Sequence, residues 1–294
     1  MAEPQELAAF DPAFQRRLRA LSLASRRLLH AAAARGQHRS RSLGPGSEFA
    51  DYREYSAGDD YRHVDWNAYA RSERLLVRQH EQESELAVYV LLDCSGSMAG
   101  KLYFGLQLTA AIAYVGLQRL ERLSIFALRD GVAASLGPLR GLSRAAEVLE
   151  FLRSLRAEGE TGLSSACRAF CARSPRRGLA ILISDLYQAG GALGAIDVLR
   201  HARFETRVIR VVEHSELEPE HTGEYELVDA ETGRTRRLSI TPQLLAEYRA
   251  ARRREAEALR RACLERQVPL TVLDTRTTPE DAVLRLLRQA GMFR

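Results

Sequence analysis

The chain has 294 residues, 46% hydrophobic and 28% charged, with a formal net charge of +5. That is enough for one large or two ordinary domains around a sizeable core. No apolar stretch approaches the roughly 18–20 residues that cross a bilayer, residues 1–10 lack the basic start of a secretory signal, and the positive charge is not gathered into a basic patch with interleaved aromatics.

A cytoplasmic protein with no membrane span and no nucleic-acid partner is therefore expected. Lys101 is the only lysine, so arginine supplies all the other basic side chains; this is a compositional bias before it is a functional one. Cys94, Cys167, Cys171 and Cys263 show no CxxC spacing. Cys167 and Cys171 lie one helical turn apart without a partner pair, which points to core packing.

In chain order, residues 11–36 are predicted to form an amphipathic helix. Phe14, Leu18, Leu21, Leu28 and Leu29 recur near helical spacing. Residues 37–85 have no helical period and read as turns and short strands. Within them Arg53, Asp59, Asp60, Arg62 and Asp65 are expected to form a buried charge network, with Trp66 as its apolar anchor. The competing reading is a partner-docking surface.

Residues 86–92 are apolar throughout and rich in β-branched and aromatic side chains, as in a strand buried on both faces of a parallel sheet. The run ends in Asp93-Cys94-Ser95-Gly96-Ser97-Met98. A helix over 101–123 follows, then strands at 124–129 and 132–136. The loop 159–165 brings Thr161 to the start of a helix. A second apolar strand, 179–184, ends at Asp185. Strands at 207–213 and 269–273 complete a β-α-β-β-α-α-β-α-β order, with a hairpin near 225–240 turning at 229–233. A long helix over 242–267 and a final helix capped by Thr278 are also expected. The fold class is α/β, a doubly wound, mostly parallel sheet preceded by a helix and an irregular β segment. The parts divide as 1–85 and 86–294.

Open α/β sheets place ligands beyond the carboxyl ends of their strands. Several chemistries fail there. A phosphate-binding loop ending at Gly100-Lys101 needs Gly where Ser95 stands and a hydroxyl where Leu102 stands. A nucleophile elbow needs Gly where Asp93 and Ser97 stand. An aspartate-phosphatase site needs a carboxylate at Ser95. What remains is a small hard cation held by oxygen ligands. Asp93, Ser95, Ser97, Thr161 and Asp185 would converge on one edge of the sheet. Asp and Ser after a strand also make good helix caps, which is the competing structural reading.

This set resembles the metal-ion-dependent adhesion site of von Willebrand factor A domains: Asp-x-Ser-x-Ser, a distant Thr, and a distant Asp after a later strand. One departure is Leu186, where many such domains have Gly. The resemblance implies Mg²⁺, with Mn²⁺ or Ca²⁺ as alternatives, ligated directly by Ser95, Ser97 and Thr161. Asp93 and Asp185 would act through waters or by orienting the hydroxyls.

Residues 44–71 carry a second resemblance, to the family known as domain of unknown function 58. The matching residues are Gly44, Gly46, Glu48, Phe49, Arg53, Tyr55, Gly58, Asp59, Asp60, Arg62, Asp65, Trp66, Ala70 and Arg71. That resemblance implies a non-enzymatic protein-binding module working with a MoxR-type AAA+ ATPase, or with its client, through an acidic partner residue. The alternatives are a metal-independent structural adaptor and a metal-dependent phosphohydrolase.

Overall fold

A computed structural model describes residues 12–21, 23, 43–56, 64–81, 86–173, 176–187, 189–217, 219, 222–228 and 234–293. The described residues fall into two compact units, one drawn from 1–26 with 86–294 and the other from 27–85.

In the smaller unit, strands β1 (Leu43–Glu54) and β2 (Leu76–Glu81) pair antiparallel with register shifts. Between them lies helix α2 (Trp66–Ser72). Asp65 is buried and caps it, its Oδ1 accepting from the backbone N–H groups of Asn67 (3.0 Å) and Ala68 (3.1 Å). Asp59, Asp60 and Arg62 lie outside the described residues, as does the side chain of Arg53. Trp66 is 59% exposed and meets Tyr69 edge-on, so it is no apolar anchor. As the first residue of a short capped helix, it projects outward.

The larger unit is built on a six-stranded sheet in the order β10-β7-β6-β3-β4-β5. Its strands are β3 (Ala87–Asp93), β4 (Arg122–Leu128), β5 (Val132–Leu139), β6 (Leu179–Ser184), β7 (Glu205–Val212) and β10 (Leu270–Asp274). All neighbours run parallel except the edge strand β5. Every residue of β3 and β6 is buried, which explains their unbroken apolar runs. One face packs against α5 (Leu163–Arg173), α6 (Ala189–His201) and α8 (Pro242–Glu265), through Tyr89, Leu91, Phe170, Ile196 and Leu259. The tilted rings of Tyr89, Phe126, Phe170 and Phe204 lie at that interface. On the other face, α3 (Leu102–Gln118) comes so close that a Cβ on Gly105 would sit 3.0 Å from Leu92 Cδ1. Helix α4 (Ala145–Ser154) packs beside it.

Helix α3 ends earlier than the expected 123. Leu120 adopts a left-handed φ of 59°, and the N–H of Glu121 reaches back to the Gly116 carbonyl at 3.0 Å. This closure stops the helix and frees Arg122 to begin β4. Within the described part of the expected helix over 11–36, α1 spans Pro12–Leu18, and beyond it Leu21 is buried and Leu23 bridges Phe293. Leu28 and Leu29 lie outside the described residues. After β7 comes a single turn, α7 (His214–Leu217), then the hairpin β8 (Gly223–Val228) and β9 (Thr235–Ile240); its expected turn at 229–233 lies outside the described residues. Thr241 and Thr278 cap α8 and the final helix, α9 (Pro279–Asp281, continuing with wider turns through Ala282–Leu287). No helix among the described residues is long and apolar enough to cross a membrane.

Candidate functional site

The strand order reverses between β3 and β6, and the carboxyl ends of those two strands deliver Asp93 and Ser184-Asp185 side by side. This is where an α/β sheet opens a crevice. Asp93 is fully buried. Its Oδ1 accepts from the Ser95 N–H (3.0 Å) and the Ser95 hydroxyl (2.7 Å), and its Oδ2 from the Ser184 hydroxyl (2.6 Å). Burial raises its pKa above the ordinary carboxylate value, and the bonds from Ser184 and Ser95 offset only part of that. Among the described residues no cationic side chain pairs with Asp93.

The Ser95 and Ser97 hydroxyls lie 3.2 Å apart. They serve no helix: neither the turn Gly96–Met98 nor α3 has a side-chain cap. Thr161 sits half-buried in a loop pinned against the motif by two main-chain bonds. The Glu158 N–H donates to the Cys94 carbonyl (3.0 Å), and the Gly96 N–H to the Gly159 carbonyl (2.9 Å). Gly162 is required next, because a Cβ there would lie 2.7 Å from the Asp130 Cα.

Asp185 is also buried. Its Oδ1 accepts from the Tyr187 N–H (3.1 Å) and its Oδ2 from the Lys101 ammonium (2.7 Å). The same ammonium donates to Glu216 on α7 at 2.5 Å. The Lys101 side chain is only 2% exposed. Burial pushes its pKa down, but Asp185 and Glu216 overcome this and hold it above the usual lysine value. Arg210, buried on β7, donates its Nε–H to the Asp185 carbonyl at 3.0 Å. Gly100 gives Glu213 room: a Cβ there would lie 2.0 Å from Glu213 Oε1. Outside this cluster, Tyr187 is half-exposed beneath the Arg252 guanidinium, 4.8 Å from its ring centre.

The structure thus joins Asp93, Ser95 and Ser97 in one hydrogen-bonded group. It sets the Thr161 loop against them and brings Asp185 in from the neighbouring strand. Ser184, Lys101, Glu216 and Arg210 are additions. Ser184 is signalled as a hydroxyl at the end of an otherwise apolar strand. Lys101 is signalled as a lone lysine among arginines, immediately before α3.

The donor set suits a small hard cation. Mg²⁺ at 2.0–2.1 Å from octahedral oxygens needs adjacent ligands about 2.9–3.0 Å apart, close to the Ser95–Ser97 separation. Among the described residues no three His, Cys, Asp or Glu side chains are grouped to hold a metal, so an ion here would depend on the hydroxyls. The four cysteines are free thiols, and Cys94, Cys167 and Cys263 are buried.

Residues 51–258 match the family model DUF58, described as a protein of unknown function. Uncharacterized proteins of Mycobacterium bovis and Mycobacterium tuberculosis are 31% identical over 266 residues, covering 85% of this chain and 81% of theirs. The chain belongs to the DUF58 family. The DUF58 match takes in the segment from Arg53 to Arg71 and all five candidate site residues, but not Gly44 to Phe49. Two solved structures are similar at lower identity. One is a conserved hypothetical protein BatB from Bacteroides thetaiotaomicron, 14% identical, TM-score 0.42, covering 70% of this chain and 98% of that one. The other is an aerotolerance-related membrane protein from Bacteroides fragilis, 15% identical, TM-score 0.41, with the same coverage.

Proposed function

We propose that this DUF58 protein is a non-enzymatic, Mg²⁺-dependent protein-binding module of von Willebrand factor A type, acting in the cytoplasm. The observation that carries the reading is the pair of Ser95 and Ser97 hydroxyls, 3.2 Å apart beside a buried Asp93 that has no cationic partner among the described residues, at the strand-order reversal. Ser95, Ser97 and Thr161 would hold the ion, and Asp93 and Asp185 would orient ligands around it. Neutral hydroxyls leave bound Mg²⁺ electrophilic, and it would supply a seat for an acidic side chain of the partner. Asp93 keeps the Ser95 hydroxyl proton turned inward, which points an oxygen lone pair outward.

The family resemblance drawn from residues 44–71 supports a MoxR-type AAA+ ATPase, or its client, as that partner, in assembly or remodelling of protein complexes. A hydrolase is disfavoured because a general base is needed. Both Asp93 oxygens accept from hydroxyls, and both Asp185 oxygens accept from N–H donors. A metal-independent adaptor is the second reading, favoured by the Lys101 ammonium that already neutralises Asp185.

The test is capture of a purified MoxR-type ATPase by the tagged protein, with Mg²⁺ and with chelator. Mg²⁺-dependent capture lost in Asp93→Ala and Ser97→Ala supports the metal reading. Equal capture by wild type and variants in chelator supports the adaptor, and no capture removes the ATPase from the proposal.

A further inference from the structure

Lys101 is the chain's only lysine and one of its largest fully buried side chains. Neither feature is explained by packing alone. Burying an ammonium is costly unless it is paired and hydrogen-bonded. Here it is bonded to two carboxylates, Asp185 at 2.7 Å and Glu216 at 2.5 Å, from different elements. Lysine is a compact point charge with three donors, which suits it to two acceptors in different directions better than the planar arginine fork used elsewhere in this chain.

We propose that Lys101 sets the affinity and partner-dependence of the candidate metal site. Its buried ammonium cancels the charge of Asp185 and leaves a divalent cation to neutral hydroxyls. This rests on the metal-binding reading above. Without Lys101, the Asp185 and Glu216 charges that its ammonium now balances would stand uncompensated at the same sheet edge and strengthen the hold of the hydroxyls on a cation. With Lys101 present, and Arg210 bonded to the Asp185 carbonyl, the protein offers an ion little net charge. The ion then binds weakly alone and firmly only when a partner adds its own carboxylate. Lys101 is a positioning and charge-setting residue; it touches Asp185, not the partner.

The experiment titrates the full chain with Mn²⁺, following free Mn²⁺ by electron paramagnetic resonance, with Mg²⁺ as competitor and no partner present. Lys101→Met is expected to tighten Mn²⁺ binding at least tenfold. A unit charge a few ångströms away in a medium of effective dielectric about 20 is worth at least that. Glu216→Gln keeps the ammonium and removes one negative charge, and is expected to weaken binding about threefold or more. Shifts in opposite directions do not arise from a common loss of folding.

If Lys101→Met does not fold, Glu216→Gln decides. Weaker binding supports the assignment, and unchanged or tighter binding overturns it. Equal or weaker binding by a folded Lys101→Met overturns it and leaves the metal reading standing. No Mn²⁺ binding by wild type or either variant overturns the metal reading and this inference together.

Discussion

The ion pair between Lys101 and Asp185 joins the start of α3 to the end of β6, and its removal is the most informative perturbation of the apo protein. Their side chains are 2% and 3% exposed, while Glu216 on the far side of the ammonium is 25% exposed. Removing one partner of a buried pair strands the other and costs about 3–5 kcal/mol. Asp185→Asn should lie near the lower end, because Lys101 keeps Glu216. Lys101→Met should lie near the upper end, because Asp185 keeps only the Tyr187 N–H.

For a unit of roughly 200 residues, at about 2–4 °C per kcal/mol, each single variant should lower Tm by roughly 6–20 °C. The double variant removes both charges and strands neither. It should cost about 1–3 kcal/mol less than the sum of the singles, as expected for residues in direct contact. The assay is urea unfolding in chelator, so that no metal contributes. Additivity within about 0.5 kcal/mol would mean that the two side chains do not meet in solution as they do here, and the reasoning would fail.

Three further outcomes are expected. Burial raises the Asp93 pKa above its ordinary 3.8, so the folded state holds that proton more tightly than the unfolded chain. In chelator, wild type should therefore lose stability relative to Asp93→Asn as the pH rises from 3.8 through the raised value; a stability difference independent of pH between 4 and 8 contradicts this. Mg²⁺ at a hundred times its dissociation constant should stabilise wild type by about 2.7 kcal/mol, and Ser95→Ala should abolish the gain, as read by thermal unfolding. Burial pushes the Cys94 and Cys167 thiols up to about 12, so in native protein at pH 8 a thiol reagent should label the half-buried Cys171 first, and prompt labelling of Cys94 would contradict its placement.

Much of the sheet is legible in the sequence, because strands buried on both faces must be apolar at every position. Leu179–Ser184 coincides with its predicted span, and the β-α-β-β-α-α-β-α-β order is the observed one. The α3 boundary was not legible, since it depends on Leu120 accepting a left-handed conformation that no glycine or proline announces. The exposure of Trp66 is not legible for a different reason: a large aromatic suggests burial, but the Asp65 side chain caps α2, and the ring that follows points outward. At the candidate site, Asp93, Ser95 and Ser97 are neighbours in sequence and their grouping is local. The Lys101–Glu216 contact spans 115 residues and follows from packing α7 against the start of α3. Composition could hint only that a single lysine was worth following. Ser184 is marked only as the hydroxyl that ends an apolar strand, and nothing in its spacing ties it to Asp93.

Everything proposed for this site depends on hydroxyls at the sheet edge holding a divalent cation. Crystals of the full chain soaked in Mn²⁺, with anomalous differences collected at the manganese edge, test it most directly. The account predicts one strong peak between the Ser95 and Ser97 hydroxyls, within about 2.2 Å of both, and no such peak in Ser95→Ala. A featureless map at that edge, or a peak confined to surface carboxylates, would contradict it.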